Sequence, residues 1–454
     1  MNFHFKKYVS VISGALLLAS LPITSWALDN NYGVRTINKD ITASQLEHKA
    51  IDGYNFIFSA AFVTKGAWGY DNPNNFTKLI TILEKAQKEK ELTSEGANLL
   101  AALLKLKPKI LANPNDALTM TGINSVNQLG TSYAQTRKNL LLSHKTFDNN
   151  IDVLFAYDGS NISLKTGEQF VLGLIKSFTN DKIQIEYIQD EQPDVLAYYE
   201  SREFRDWVNS YPDTHRLLGK IKYSSQQKSN QIKNYVDNVN QRIFKKKFLN
   251  SVNGNSLIID SSRVEPRDIV DYIFEIYKFL PSINIQEAND FNTVLDDIMR
   301  NEERRQFSAI DNANLFTTVG PSVTGQIQTT EQGRRLFNDL HITLQDFLET
   351  NDEPVKLYFI DPRALLSFLT LLEGSKLGNT LGPNEDYSYT ADTFKVGDLA
   401  PLNSILIFDF YKNRDNKILV KINHNGKILT LKDTCQSLEN TAYNWEDLAK
   451  CLTN

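Results

Sequence analysis

The chain has 454 residues, of which 41% are hydrophobic and 23% charged, and its formal net charge is -5. That composition excludes a globally disordered chain, and the mildly acidic balance argues against nucleic acid as a partner. The length calls for two or three domains, or for one domain with a large insertion.

The first 27 residues read as a secretory signal. Lys6 and Lys7 supply positive charge, Val9 to Leu21 is mostly apolar, and Ser25-Trp26-Ala27 places small residues where a signal peptidase reads. The apolar run is too short for a membrane span. Cleavage takes the net charge to -7 and gives the expectation of a secreted or periplasmic protein without a membrane span.

Tyr54 to Val63 is short and nearly all apolar, the pattern of a strand in a parallel sheet. It runs into Thr64-Lys65-Gly66, and after a loop Phe76, Leu79, Ile80 and Leu83 repeat at helical spacing. Strand, loop and helix in that order open an α/β fold, in which ligands sit beyond the carboxyl ends of the strands. Helical sequence around Leu99 to Lys105 is expected to break at Pro108 and Pro114. A long helix follows over Ile123 to Leu142, then a second buried strand at Val153 to Ala156 and a helix containing Phe170 to Ile175.

Between Asp181 and Ser322 the chain turns polar and mostly helical in period. Pro266 opens its clearest helix, with Ile269, Val270, Ile273, Phe274, Tyr277 and Leu280 as the apolar stripe. Basic runs at Lys245-Lys246-Lys247 and Arg304-Arg305 have acidic or apolar neighbours and read as solvated faces. The expected division is therefore an α/β core over 28–180 and 323–454, with an α-helical domain inserted over 181–322.

The closing part predicts a helix through Leu336, Phe337, Leu340, Leu344, Phe347 and Leu348 and a strand at Val355 to Ile360. A helix from Ala364 and a strand at Ile405 to Phe410 follow. Ile418 to Asn423 and Lys427 to Leu431 flank Asn425-Gly426, a strong hairpin signal. The only cysteines, Cys435 and Cys451, lie near the end of an exported chain, so one disulfide closing the tail is expected. Without a CxxC, and with His424 the only nearby imidazole, no metal is expected. No P-loop, HExxH, GxSxG or dinucleotide fingerprint occurs, and no cofactor is expected.

Several stretches carry a family resemblance. They are Leu118-Thr119-x-x-Gly122 with Leu129-Gly130 and Arg137, and Phe170-x-x-Gly173-Leu174. The run from Pro401 to Phe410, the hairpin at Asn425 and the tail from Cys435 to Cys451 complete the set. In this order they resemble the histidine acid phosphatases, in particular the branch of multiple inositol polyphosphate phosphatases and phytases. The resemblance implies an α/β sandwich core whose active-site cleft is capped by an α-helical domain. It also implies a His nucleophile that forms a phosphohistidine, arginines on the phosphate oxygens, and a carboxylic acid that protonates the leaving alcohol.

Those residues are missing here. Where the family has Arg-His-Gly-x-Arg-x-Pro, this chain has Thr64-Lys65-Gly66-Ala67-Trp68-Gly69-Tyr70. Ile162 replaces the arginine ahead of Phe170-x-x-Gly173-Leu174, and Asp361 and Arg363 replace the late histidine and the proton donor. None of His48, His144, His215, His341 and His424 falls at an expected strand end, and His341 reads as a surface residue. The first reading is a catalytically inactive pseudophosphatase. Lys65, Arg363, Asp361 and Thr64 would meet at its cleft, either to hold phosphate or an inositol phosphate or simply to pair with one another. The second is a phosphomonoesterase working through Thr64, Lys65 and Asp361. The third is a surface interaction protein using the helical domain. There Trp68 and Tyr70 would either offer apolar contact or fill the vacated pocket. No protein partner is named by the sequence.

Overall fold

The computed structural model describes residues 31–453, except 39–40, 48–49, 148, 180–182, 211–228, 255–256, 284, 383–384, 386–393 and 439–440. The expected signal, residues 1–27, lies outside the described residues, as do His48 and His215. Among the described residues no helix is long and apolar enough to cross a membrane.

The strands gather into one mixed sheet of eight, apolar at its centre. In chain order they are β1 (Tyr54–Thr64), β2 (Asn150–Tyr157), β3 (Gln184–Glu191), β4 (Val355–Ile360), β5 (Ile405–Asn413), β6 (Ile418–His424), β7 (Lys427–Ile428) and β8 (Tyr443–Asn444). Across the sheet the order is β8-β6-β5-β1-β4-β2-β3, with β7 on β6. β1, β4, β2 and β3 are parallel, while β5, β6, β7 and β8 pair antiparallel. Thr64 pairs with Ile360, and Tyr157 with Phe359. Three parallel strands therefore end at one level. The residues that follow them, Lys65, Asp361 and Asp158, emerge side by side.

The helices that position the site are α1 (Pro73–Lys88), α2 (Ser94–Ala112), α3 (Met120–Ser143), α4 (Asn161–Lys176), α5 (Ser229–Ile243) and α6 (Pro266–Phe279). After them come α7 (Ile285–Ile298), α8 (Asn301–Val319), α9 (Glu331–Thr350), α10 (Pro362–Glu373) and α11 (Trp445–Thr453). Strand alternation sends Phe58, Ala60 and Phe62 into one core with α9, α10 and α11. Ala61 and Val63 point to the other face, under α3 and α4. A third cluster joins α1 and α2 to α5, α6 and α7, through residues such as Leu83, Leu103, Val239, Ile273 and Leu295. α8 spans two clusters, with Phe307 in the helical one and Phe316 in the sheet one.

α3 and α4 cross backbone to backbone. A Cβ on Gly130 would lie 2.1 Å from the Phe170 carbonyl oxygen, and one on Gly173 would lie 2.0 Å from that of Asn127. This close approach is the physical reason for glycine in Leu129-Gly130 and Phe170-x-x-Gly173.

Two local expectations need correction. The stretch after Asp181, read as mostly helical, opens with a strand, because β3 pairs with β2 inside the sheet. Leu196, Tyr198 and Phe204 then join the sheet core, so the helical body instead draws in α1 and α2. The helix expected to break at Pro108 continues to Ala112. Pro108 and Leu104, four residues before it, lie on the exposed face, where water can take up the hydrogen bond that proline cannot donate. The hairpin forms at the expected turn with a return strand of only Lys427–Ile428, and the tail closes as read. Asn425 and Gly426 take φ of 50° and 82°, and Cys435 is bonded to Cys451.

Candidate functional site at the ends of three parallel strands

Lys65 leaves β1 and points at two carboxylates. Its Nζ lies 2.8 Å from Asp361 Oδ2 and 3.7 Å from Asp158 Oδ2. Burial alone would lower the lysine pKa, but Asp361 and Asp158 outweigh it and hold the ammonium above its ordinary value. A protonated amine has no lone pair with which to attack phosphorus.

Asp361 follows β4 and caps α10, whose first residue is Pro362. Its Oδ1 accepts from the Arg363 backbone N at 2.9 Å and from Arg363 Nε at 2.8 Å. Burial would raise this carboxyl, yet Lys65 and Arg363 hold it far below the usual carboxylate range. So strongly ionised a group does not protonate a leaving alcohol. Arg363 also reaches Glu200 Oε1 at 3.1 Å and lies 4.1 Å over the Tyr199 ring. The Tyr199 hydroxyl donates to Asp158 Oδ2 at 3.4 Å. Lys65 and Arg363 thus face Asp158, Asp361 and Glu200, one negative charge in excess.

The other expected residues stand apart from this network. Thr64 Oγ1 donates to the Pro401 carbonyl and accepts from Ser404 N, each at 2.9 Å, so its hydroxyl is committed to the fold. Ile162 packs with Ala67, Trp68 and Leu402. Trp68 and Tyr70 are buried, which favours the filling of a vacated space over free apolar contact. The loop that bears them is gripped by the Leu118-Thr119-x-x-Gly122 turn. Thr119 N donates to the Ala67 carbonyl at 2.9 Å, and a Cβ on Gly122 would meet that oxygen at 2.1 Å. Arg137 is a core residue, ion-paired with Asp409.

Sequence reasoning missed Asp158, Tyr199, Glu200 and Arg35. Asp158 carries one signal that could have found it, a polar residue directly after a buried strand. Arg35 is buried, lies 4.0 Å over Trp68 and bonds the Trp68 and Gly69 carbonyls. It precedes β1 in a segment without periodicity.

The histidines need two corrections. β6 runs one residue further than expected, so His424 does close a strand, though an antiparallel one. Its Nε2 lies 3.2 Å from Ser404 Oγ, and burial pushes the imidazole down to about 4. His341 is half-buried and stacks on Trp445 instead of lying on the surface. His144 bonds the Leu140 carbonyl within its own helix end. Among the described residues no group of three or more His, Cys, Asp or Glu is placed to hold a metal ion.

No protein-family model matches the chain, and no curated protein resembles it in sequence. Solved structures do match. The multiple inositol polyphosphate phosphatase of Bifidobacterium longum, in complex with inositol hexasulfate, aligns with a TM-score of 0.78 at 16% identity, over 93% of this chain and 97% of that one. The same enzyme in complex with phosphate aligns with a TM-score of 0.78 at 15% identity, again over 93% and 97%. The phytase of D. castellii aligns with a TM-score of 0.56 at 15% identity, over 93% and 84%. The chain therefore has the histidine acid phosphatase fold, as the sequence resemblance implied.

Proposed function

We propose that this protein is a non-catalytic member of the fold, a pseudophosphatase exported by its N-terminal segment, whose strand-end cluster is closed by its own ion pairs. One observation carries the reading. The strand-end position that would need a nucleophile holds Lys65, and its ammonium is locked 2.8 Å from an ionised Asp361. Lys65 has no lone pair for attack, Asp361 has no proton to give, and the cluster carries net negative charge, which disfavours a phosphate ester.

A second reading, retention of phosphate or an inositol phosphate, draws on Arg363, whose side chain is 39% exposed. It also draws on the phosphate and inositol hexasulfate found in the Bifidobacterium enzyme. Isothermal titration separates the two. Phosphate and inositol hexakisphosphate at millimolar concentration give no heat if the ion pairs close the site. Heat that is lost in Arg363→Ala would establish an anion-holding site and overturn the closed one.

A further inference from the structure

A second space lies along the loop that leaves the strand-end cluster. A cavity of about 380 Å³ opens between the loop after β1 and helices α6 and α8. Tyr32, Trp68 and Tyr70 give it an aromatic wall, and none of Lys65, Asp158, Asp361 and Arg363 lines it.

Its charges are unequally matched. Arg35 Nη2 is 2.8 Å from Asp71, and Lys278 Nζ is 2.6 Å from Asp311, so both cations of the wall already have partners. Glu275 does not. Among the described residues it meets only neutral donors, Tyr70 Oη at 3.4 Å, Asn72 Nδ2 at 3.4 Å and Asn75 Nδ2 at 3.2 Å. These bonds are long, and a carboxylate offers about four acceptor sites. The cavity thus holds one uncompensated negative charge beside aromatic surface. An excess of one negative charge in a cleft disfavours anions and favours cations. A carboxylate next to aromatic rings is also the chemistry that recognises an organic ammonium group. The volume lies at the small end for ligand pockets, which run from about 300 Å³ upward, and it suits a small molecule.

We propose that this cavity binds a small organic ammonium compound, with the charge on Glu275 and the carbon body along the edges of Tyr32 and Trp68, whose faces are covered by Tyr277 and Arg35. The site is independent of the strand-end cluster and stands whether or not that cluster turns over phosphate.

Calorimetric titration of the mature protein with putrescine and with phenethylamine tests it, beside butane-1,4-diol and inorganic phosphate as uncharged and anionic controls. At least one amine gives saturable heat, and both controls give none. Glu275→Gln weakens that binding by about tenfold or more while the melting temperature holds. Leu315→Trp, which fills the cavity and leaves every charge in place, abolishes it, and Lys65→Ala leaves it unchanged. If Glu275→Gln fails to fold, Leu315→Trp decides. Absence of heat from both amines at about 10 mM, or equal amine binding in Leu315→Trp, overturns the proposal. Saturable phosphate binding that Leu315→Trp removes overturns it as well.

Discussion

Replacing Asp361 by Asn isolates the charge that holds the strand-end cluster together. Asn caps a helix about as well as Asp, so the start of α10 is kept and only the ionic contacts are lost. At an effective dielectric near 20, Lys65 attracts Asp361 across 2.8 Å by about 6 kcal/mol and Asp158 across 3.7 Å by about 4.5 kcal/mol. The substitution removes the first attraction, relieves the desolvation of one carboxylate and leaves the second attraction in place. Breaking one side of a buried pair costs about 3–5 kcal/mol. With Asp158 as a residual partner we expect Asp361→Asn to lower stability by about 2–4 kcal/mol at pH 7, measured by urea unfolding. Adding Lys65→Met recovers part of the loss, with a coupling of about 1–3 kcal/mol. The pH dependence has a definite sign. The folded carboxyl titrates well below its unfolded value of about 3.9, so its stabilisation is complete above that pH and fades as the pH falls below it. The gap between wild type and Asp361→Asn therefore narrows on acidification below about pH 4. Equal stabilities at pH 7, strict additivity with Lys65→Met, or a gap that does not narrow would refute the reasoning.

Three other outcomes follow from the fold. Gly130→Leu places a side chain where a Cβ already lies 2.1 Å from the Phe170 carbonyl oxygen. It should cost about 3 kcal/mol or more, seen as a lower melting temperature, and an unchanged melting temperature would mean that α3 and α4 do not touch there. Cys435 and Cys451 are 16 residues apart, so replacing both by Ala should cost about 3 kcal/mol through the freed tail. Protein recovered outside the cytoplasm should begin at Leu28 by intact mass, whereas retention of Met1 would remove the case for a cleaved signal.

Much of the scaffold is legible because its central strands are mostly apolar. β1, β4 and β5 read directly from runs such as Ile405 to Phe410. β3 did not, because it is an edge strand of sequence Gln-Ile-Glu-Tyr-Ile-Gln-Asp-Glu, half-buried and polar, and its pairing with β2 has no local signal. Pro108 misled for a related reason, since tolerance of proline depends on which helix face meets water. At the site, Lys65, Asp361 and Arg363 were visible as residues standing where the resemblance expects others. Their mutual pairing was among the alternatives. Asp158 was not, because its contact with Lys65 is set by the register of β2 on β4, a long-range fact. Thr64 read as a ligand candidate until Pro401 and Ser404 claimed its hydroxyl.

The most direct test of the central claim is phosphate release from inositol hexakisphosphate and p-nitrophenyl phosphate by the purified mature protein, across pH 3 to 8, beside Lys65→Ala and Asp361→Ala. With Lys65 held as an ammonium by Asp361 and Asp158, the protein and both variants should be indistinguishable from buffer at every pH. Release by the wild type that disappears in both variants would contradict the account and make Lys65 and Asp361 working parts of a phosphatase.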